Sequence, residues 1–177
     1  CTIGRFNWIK DFDTAIMAMN LLKKENVDFE YHIIGSGDQQ EVERLKFLVK
    51  KLNLEDQVVF HGKLSHAASL ELLNSSTIYL QSSLCEGFCN AVLEAQALGL
   101  LCIVRDGGAL PENVIGGKTV WVFPRGNAEL LCRKILDVIY LSVEEKQIFM
   151  YNAKKRVRED FDVVSQIEKF DHFYQSK

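Results

Sequence analysis

The chain has 177 residues, 47% of them apolar and 25% charged, and its 21 Lys+Arg against 24 Asp+Glu leave a net charge of −3. These values describe one globular domain with a core of its own, and they lack the basic face that a nucleic-acid partner requires. No apolar run approaches the roughly 18 residues of a membrane-spanning helix, and the start carries no cleavable signal pattern.

Apolar runs of strand length alternate with amphipathic segments of helix length from end to end, the pattern of a parallel sheet covered on both faces. Strands are predicted near residues 1 to 4, 30 to 34, 57 to 60, 77 to 80, 101 to 104 and 119 to 122. Helices are predicted near 12 to 24, 39 to 52, 66 to 74, 88 to 98, 127 to 141, 143 to 158 and 162 to 174. The fold class is therefore α/β, a Rossmann-like open parallel sheet of about six strands. The first strand, Thr2-Ile3, follows Cys1 and runs straight into Gly4-Arg5, which reads as a strand cut short and the whole as a fragment of a longer protein.

Each strand is followed by a loop of special residues. Gly4-Arg5 follows the first, Gly35-Ser36-Gly37 the second, Gly62-Lys63 the third, Ser82 to Gly87 the fourth and Gly107-Gly108 the fifth. In an open α/β sheet the ligand crevice lies at the carboxyl ends of the strands, so all five loops fall on its edge. Arg5 and Lys10 bracket the first loop, a guanidinium fork and a point charge suited to phosphate oxygens. The second loop lacks the full G-x-G-x-x-G spacing, which disfavours a nicotinamide dinucleotide. His61 and His66 border the third loop without a catalytic partner in sequence.

The fourth loop is the centre of the reading. Ser82 to Gly99 passes a Glu-Gly-Phe turn and then becomes a helix in which Ala91, Val92, Ala95 and Leu98 recur at helical spacing. The turn lies at the helix start, where unpaired N–H groups at Gly87, Phe88 and Cys89 could meet an anion. Glu86 and Glu94 flank that start, two acids suited to a ligand with hydroxyls as well as phosphates. The five cysteines, Cys1, Cys85, Cys89, Cys102 and Cys132, form no CxxC pair. They read as reduced, buried or inert thiols of a cytoplasmic protein, with no metal role. Further on, Asn127 is predicted to cap the next helix, and Ile167, Phe170 and Phe173 to pack an aromatic face in the last.

Glu86-Gly-Phe-Cys-Asn-Ala-Val-Leu-Glu94 resembles the E-x7-E signature of retaining glycosyltransferases of the GT-B fold, family 4. The first Glu of that signature meets the donor sugar and the second the ribose of the nucleotide. Ile3 to Met19 resembles the family's G-R-x4-K segment, whose Arg and Lys hold the donor diphosphate, here Arg5 and Lys10; Asp11 stands where Gly often follows the Lys. Tyr31 to Gly37 resembles its strand and G-x-G, with Gly35 and Gly37, and Val58 to Gly62 its V-x-F-x-G. Gly107 to Glu112 resembles G-G-x-x-E with one residue more before the Glu, and Gly117-Lys118-Thr119 resembles G-x-T-G with Val120 in place of the last Gly.

The resemblance implies one half of a GT-B fold, the donor-binding domain over residues 1 to 177, with its N-terminal acceptor domain absent. It implies catalytic roles for Glu86, Arg5 and Lys10 and donor contacts from Glu94, Gly87, Phe88, Cys89, Gly35, Gly37, Gly62 and Gly107. The ligand is a nucleoside-diphosphate sugar, used as substrate, with no obligatory metal and no cofactor. The partners are the donor, the chain's own N-terminal domain and an acceptor of open identity: a saccharide, a lipid-linked glycan or another compound. Any membrane contact is peripheral and made through the missing half, and the fragment by itself is expected to be inactive. Two other readings are an epimerase of GT-B shape and a non-catalytic module that binds a nucleotide or a protein.

Overall fold

The computed structural model describes residues 1–108, 110–124, 126–162, 167 and 171–175. The strands among them are β1 (Thr2–Ile3), β2 (Tyr31–Ile34), β3 (Val58–Gly62), β4 (Ile78–Gln81), β5 (Leu101–Arg105) and β6 (Val120–Phe123). The helices are α1 (Phe12–Lys24), α2 (Gln39–Lys51), α3 (His66–Ser75), α4 (Asn90–Leu98), α5 (Leu110–Asn113), α6 (Ala128–Ile139) and α7 (Val143–Asp160).

All strand pairs are parallel and form two ladders, β1-β2-β3 and β4-β5-β6. Backbone bonds join the ladders: Cys1 N donates to Ile78 O at 2.8 Å and Leu80 N donates to Cys1 O at 2.8 Å. That offset is parallel pairing of Cys1 with Tyr79. Read across, the order is β3-β2-β1-β4-β5-β6, the doubly wound arrangement in which strand order reverses between β1 and β4. The predicted α/β Rossmann-like sheet is therefore present, as two joined ladders.

Strand alternation explains why the sheet needs helices on both faces. In β5, Leu101 and Ile103 enter the core packed by Phe12, Ile16 and Leu22 of α1 and Leu131, Ile135 and Val138 of α6. Cys102 and Val104 face the other way, against Leu73 of α3 and Val92 and Ala95 of α4. Period-two exposure to two apolar layers is what an uninterrupted apolar strand means. Helix starts follow local chemistry. Asp38, Ser65, Asn127 and Ser142 each accept from a backbone N–H of the following turn, and Ser142 with Glu145 completes a capping box.

Three details differ from the sequence expectation. Helix α4 begins at Asn90 and not near 88, because Cys89 holds φ −98° and ψ 89°, outside helical values. The short α5 follows the Gly107-Gly108 turn, unannounced by any periodicity in so brief a segment. In the last predicted helix, Ile167, Phe173 and Tyr174 are exposed and not in the core, the rings of Phe173 and Tyr174 meeting edge to face at 5.3 Å; Phe170 lies outside the described residues. No helix among those described is long and apolar enough to cross a membrane.

Candidate functional site

The strand-order reversal brings the loop after β1 against the loop after β4. Lys10 closes a 3-10 turn, Trp8–Lys10, whose start Asn7 caps. Ile9 O accepts from Leu84 N at 2.7 Å, and Lys10 O accepts from Ser82 Oγ at 2.9 Å. With the backbones clamped, Lys10 Nζ lies 2.5 Å from Glu86 Oε1, although 76 positions separate them in the chain. Both side chains are largely withdrawn from solvent, at 21% and 12% exposure. Lys10, expected to hold the diphosphate, is thus paired with the acid expected to meet the sugar.

Gln81, the last residue of β4, also donates to Glu86 Oε1 at 2.7 Å and to Ser83 Oγ at 2.6 Å. Its amide is oriented by Tyr79, whose hydroxyl donates to Gln81 Oε1 at 2.6 Å. Burial pushes the Tyr79 phenol well above its ordinary value, so it stays a donor. Glu86 therefore receives one charged and one neutral donor on a single oxygen. The turn that carries it packs on Gly107 and Gly108. A Cβ on Gly107 would lie 2.6 Å from Leu84 O, and one on Gly108, at φ 63°, would lie 2.4 Å from Glu86 O. Bare glycine backbone is what lets the fifth loop support the fourth.

Arg5 is exposed on the same edge and makes no side-chain hydrogen bond or ion pair among the described residues. A Cβ on Gly87 would meet nothing within 4 Å, so its backbone is open to approach, and Phe88 is 55% exposed, its ring 5.8 Å from that of Phe161. Cys89 departs from expectation. Its amide donates to Asn113 Oδ1 at 3.2 Å, because buried Asn113 folds back from α5 onto the start of α4. That N–H is committed within the protein and is not offered to an anion. Glu94, on α4, pairs with His66 Nε2 at 2.9 Å and forms no hydrogen bond or ion pair with Lys10 or Glu86.

Gly35, Gly37 and Gly62 serve contact between loops. Gly35 N donates to Gly62 O at 2.8 Å, and Phe6 N donates to Ser36 O at 2.9 Å. A Cβ on Gly37 would lie 2.4 Å from Phe6 O. His61 meets His32, Nε2 to Nδ1 at 2.9 Å. The side chain of Glu112 lies outside the described residues. No group of three or more His, Cys, Asp and Glu among those described could hold a metal ion.

The reasoning from sequence missed Gln81, Tyr79, Asn113 and Arg105, which builds the turn after Lys10. A signal existed for two of them. Gln81 and Arg105 each end an apolar strand at its carboxyl edge, where a buried polar group must have a partner. A cavity of about 410 Å³, lined among others by Asp28, Glu30, Ser75 and Ile78, opens at the opposite, amino edge and holds none of the candidate residues.

An open parallel sheet with paired charges at its strand-order reversal defines a Rossmann-like ligand-binding class. Residues 1–156 match the family described as glycosyl transferases group 1, and the chain belongs to that family. It is similar to the putative colanic acid biosynthesis glycosyltransferase WcaL of Salmonella typhimurium, 27% identical over 168 residues, 91% of this chain and 41% of that protein. It is also similar to N-acetyl-alpha-D-glucosaminyl L-malate synthase of Bacillus anthracis, 32% identical over 170 residues, 94% of this chain and 43% of that protein. The chain thus spans about two-fifths of the length of these relatives. HepE of Anabaena, solved in complex with UDP, shares the fold with a TM-score of 0.90 at 20% identity, over 99% of this chain and 48% of that one.

Proposed function

We propose that this chain is the donor-binding domain of a retaining, family 4 glycosyltransferase of the GT-B type, working with an acceptor domain outside residues 1–177. It takes a nucleoside-diphosphate sugar and transfers the sugar to an acceptor with retention at the anomeric carbon. The observation that carries the reading is the Lys10–Glu86 contact of 2.5 Å across the strand-order reversal. It presents a cation and an acid side by side, as a ligand with a sugar hydroxyl next to a phosphate requires. Its neighbours in structure include HepE bound to UDP and glucose.

In this reading, negative charge builds on the diphosphate as the glycosidic bond to it breaks. Arg5, Lys10 and the open backbone at Gly87 and Phe88 face that charge and lower the barrier without a metal ion. Glu86 holds the sugar through its hydroxyls. Glu94, steadied by His66, takes the two ribose hydroxyls. The lone chain binds donor but transfers nothing, and the protein works in the cytoplasm.

The test is a thermal-shift panel of UDP-, GDP- and ADP-sugars on this chain, repeated with Lys10→Ala. One base class should raise the melting temperature, and the variant should lose the shift. Silence from all three classes sinks the donor reading. In a protein that retains the acceptor domain, Arg5→Ala or Lys10→Ala should lower turnover by about 10²- to 10³-fold; turnover within a few-fold of wild type contradicts the roles.

A further inference from the structure

Lys10 is aimed by a turn that side chains rarely adopt. Asp11, the next residue, holds φ 45° and ψ 50°, in the left-handed region that favours glycine. Two elements tie it there. Asp11 Oδ2 accepts from Thr14 Oγ1 at 2.7 Å and from Arg105 Nη1 at 2.5 Å. Arg105 comes from the end of β5 in the other ladder and is 2% exposed. The same nitrogen donates to Ser82 O at 3.0 Å. Ser82 Oγ in turn donates to Lys10 O at 2.9 Å. The contacts close a ring: Arg105 to Asp11, Asp11 to Lys10 along the chain, Lys10 to Ser82, and Ser82 back to Arg105.

We propose that Arg105 is a positioning residue for the diphosphate grip, holding Asp11 in its left-handed turn so that Lys10 points at Glu86 and the ligand. The proposal rests on the reading of Lys10 as a diphosphate contact. Buried as it is, Arg105 does not reach a ligand itself; it acts through the turn and through the Ser82 carbonyl. Its charge has Asp11 as its ion-pair partner among the described residues. Loss of Arg105 leaves a part-buried carboxylate without its counter-charge. The carboxylate is then held by Thr14 alone, and the turn that fixes Lys10 loosens. Glycine at position 11 would hold the same turn with no tether at all. In this chain an ion pair does what a missing side chain does elsewhere, and the two residues function as a unit.

The experiment measures, by calorimetry, the affinity of this chain for UDP, GDP and ADP and for the matching monophosphates. The readout is the ratio of diphosphate to monophosphate affinity, which general loosening of the fold would leave unchanged because both ligands would weaken together. Arg105→Met should lower that ratio about tenfold, as Lys10→Ala should, the loss of one charge-assisted contact. The double variant Asp11→Gly/Arg105→Met should bring the ratio back to within about threefold of wild type. A wild-type ratio in Arg105→Met, or a double variant as low as the single, overturns the proposal while leaving the donor reading intact. If Arg105→Met does not fold, Arg105→Gln is read on the same ratio, since a neutral amide supplies no counter-charge to Asp11; an unchanged ratio there overturns it equally. A wild-type chain that binds none of the three diphosphates overturns the donor reading, and this proposal falls with it.

Discussion

At Gly35 a hydrogen is all the space allows. A Cβ there would lie 1.8 Å from the carbonyl oxygen of Gly4, and the backbone sits at φ 144°. Overlap with backbone cannot be relieved by turning a side chain, so Gly35→Ala should lower unfolding free energy by about 3 kcal/mol or more in urea titration. A loss under about 1 kcal/mol would show that the loops part without strain. This position also separates what a motif announces from what it means. The family resemblance implies that Gly35 and Gly37 are ligand glycines, whereas the atoms that crowd them are those of Gly4 and Phe6, in the loop that carries Arg5 and Lys10. Glu86 and Lys10 were legible as separate residues; their contact was not, because nothing in a linear chain states which loops touch.

Among the elements, β2 and β3 carry a titratable pair of their own. His32 and His61 share one hydrogen bond of 2.9 Å, with one imidazole nitrogen donating to the other, and Glu30 stands 3.4 Å from the far side of His32. Burial first, and His32 second, hold the His61 imidazolium below the ordinary histidine value. The sign follows from proton counting. Between the unfolded value of about 6.5 and the lower folded one, the unfolded chain binds more protons. Stability is therefore complete above about pH 6.5 and falls as the pH drops below it. His61→Asn should flatten the decline in melting temperature between about pH 7 and about pH 5; an identical slope in the variant would remove His61 from the account. Helix α4 shows how far periodicity reaches. Its apolar spacing revealed the helix, but its start was fixed by Asn113 from α5, a segment of four residues with no pattern to read.

Over the molecule as a whole, the two ladders become one sheet at the start of β1, where the Cys1 backbone pairs with β4. Thr2 marks that join: its hydroxyl meets the Tyr31 hydroxyl at 2.7 Å and donates to Leu80 O at 3.0 Å, one contact in each ladder. Tyr31 is fully enclosed, and burial raises its phenol above the ordinary value. Thr2→Val keeps the shape and strands the Tyr31 hydroxyl, so it should cost about 1 to 3 kcal/mol in denaturant unfolding, with a single transition. Two separated transitions would mean that the ladders fold as independent units, contrary to the continuous hydrogen bonding between them.

The alternation of apolar runs and amphipathic segments determined the α/β class and the edge on which every special loop lies, because strand period and helix period are properties of local sequence. The candidate acids and cations, Glu86, Glu94, Arg5 and Lys10, were singled out by the resemblance of their segments to a known family and not by that alternation. Tertiary structure alone decided that Lys10 is paired with Glu86, that the Cys89 amide is taken by Asn113, and that Asp11 leans on Arg105, 94 positions away. Those contacts depend on which strands lie side by side, and the reversal between β1 and β4 is a fact of chain path that no local spacing encodes.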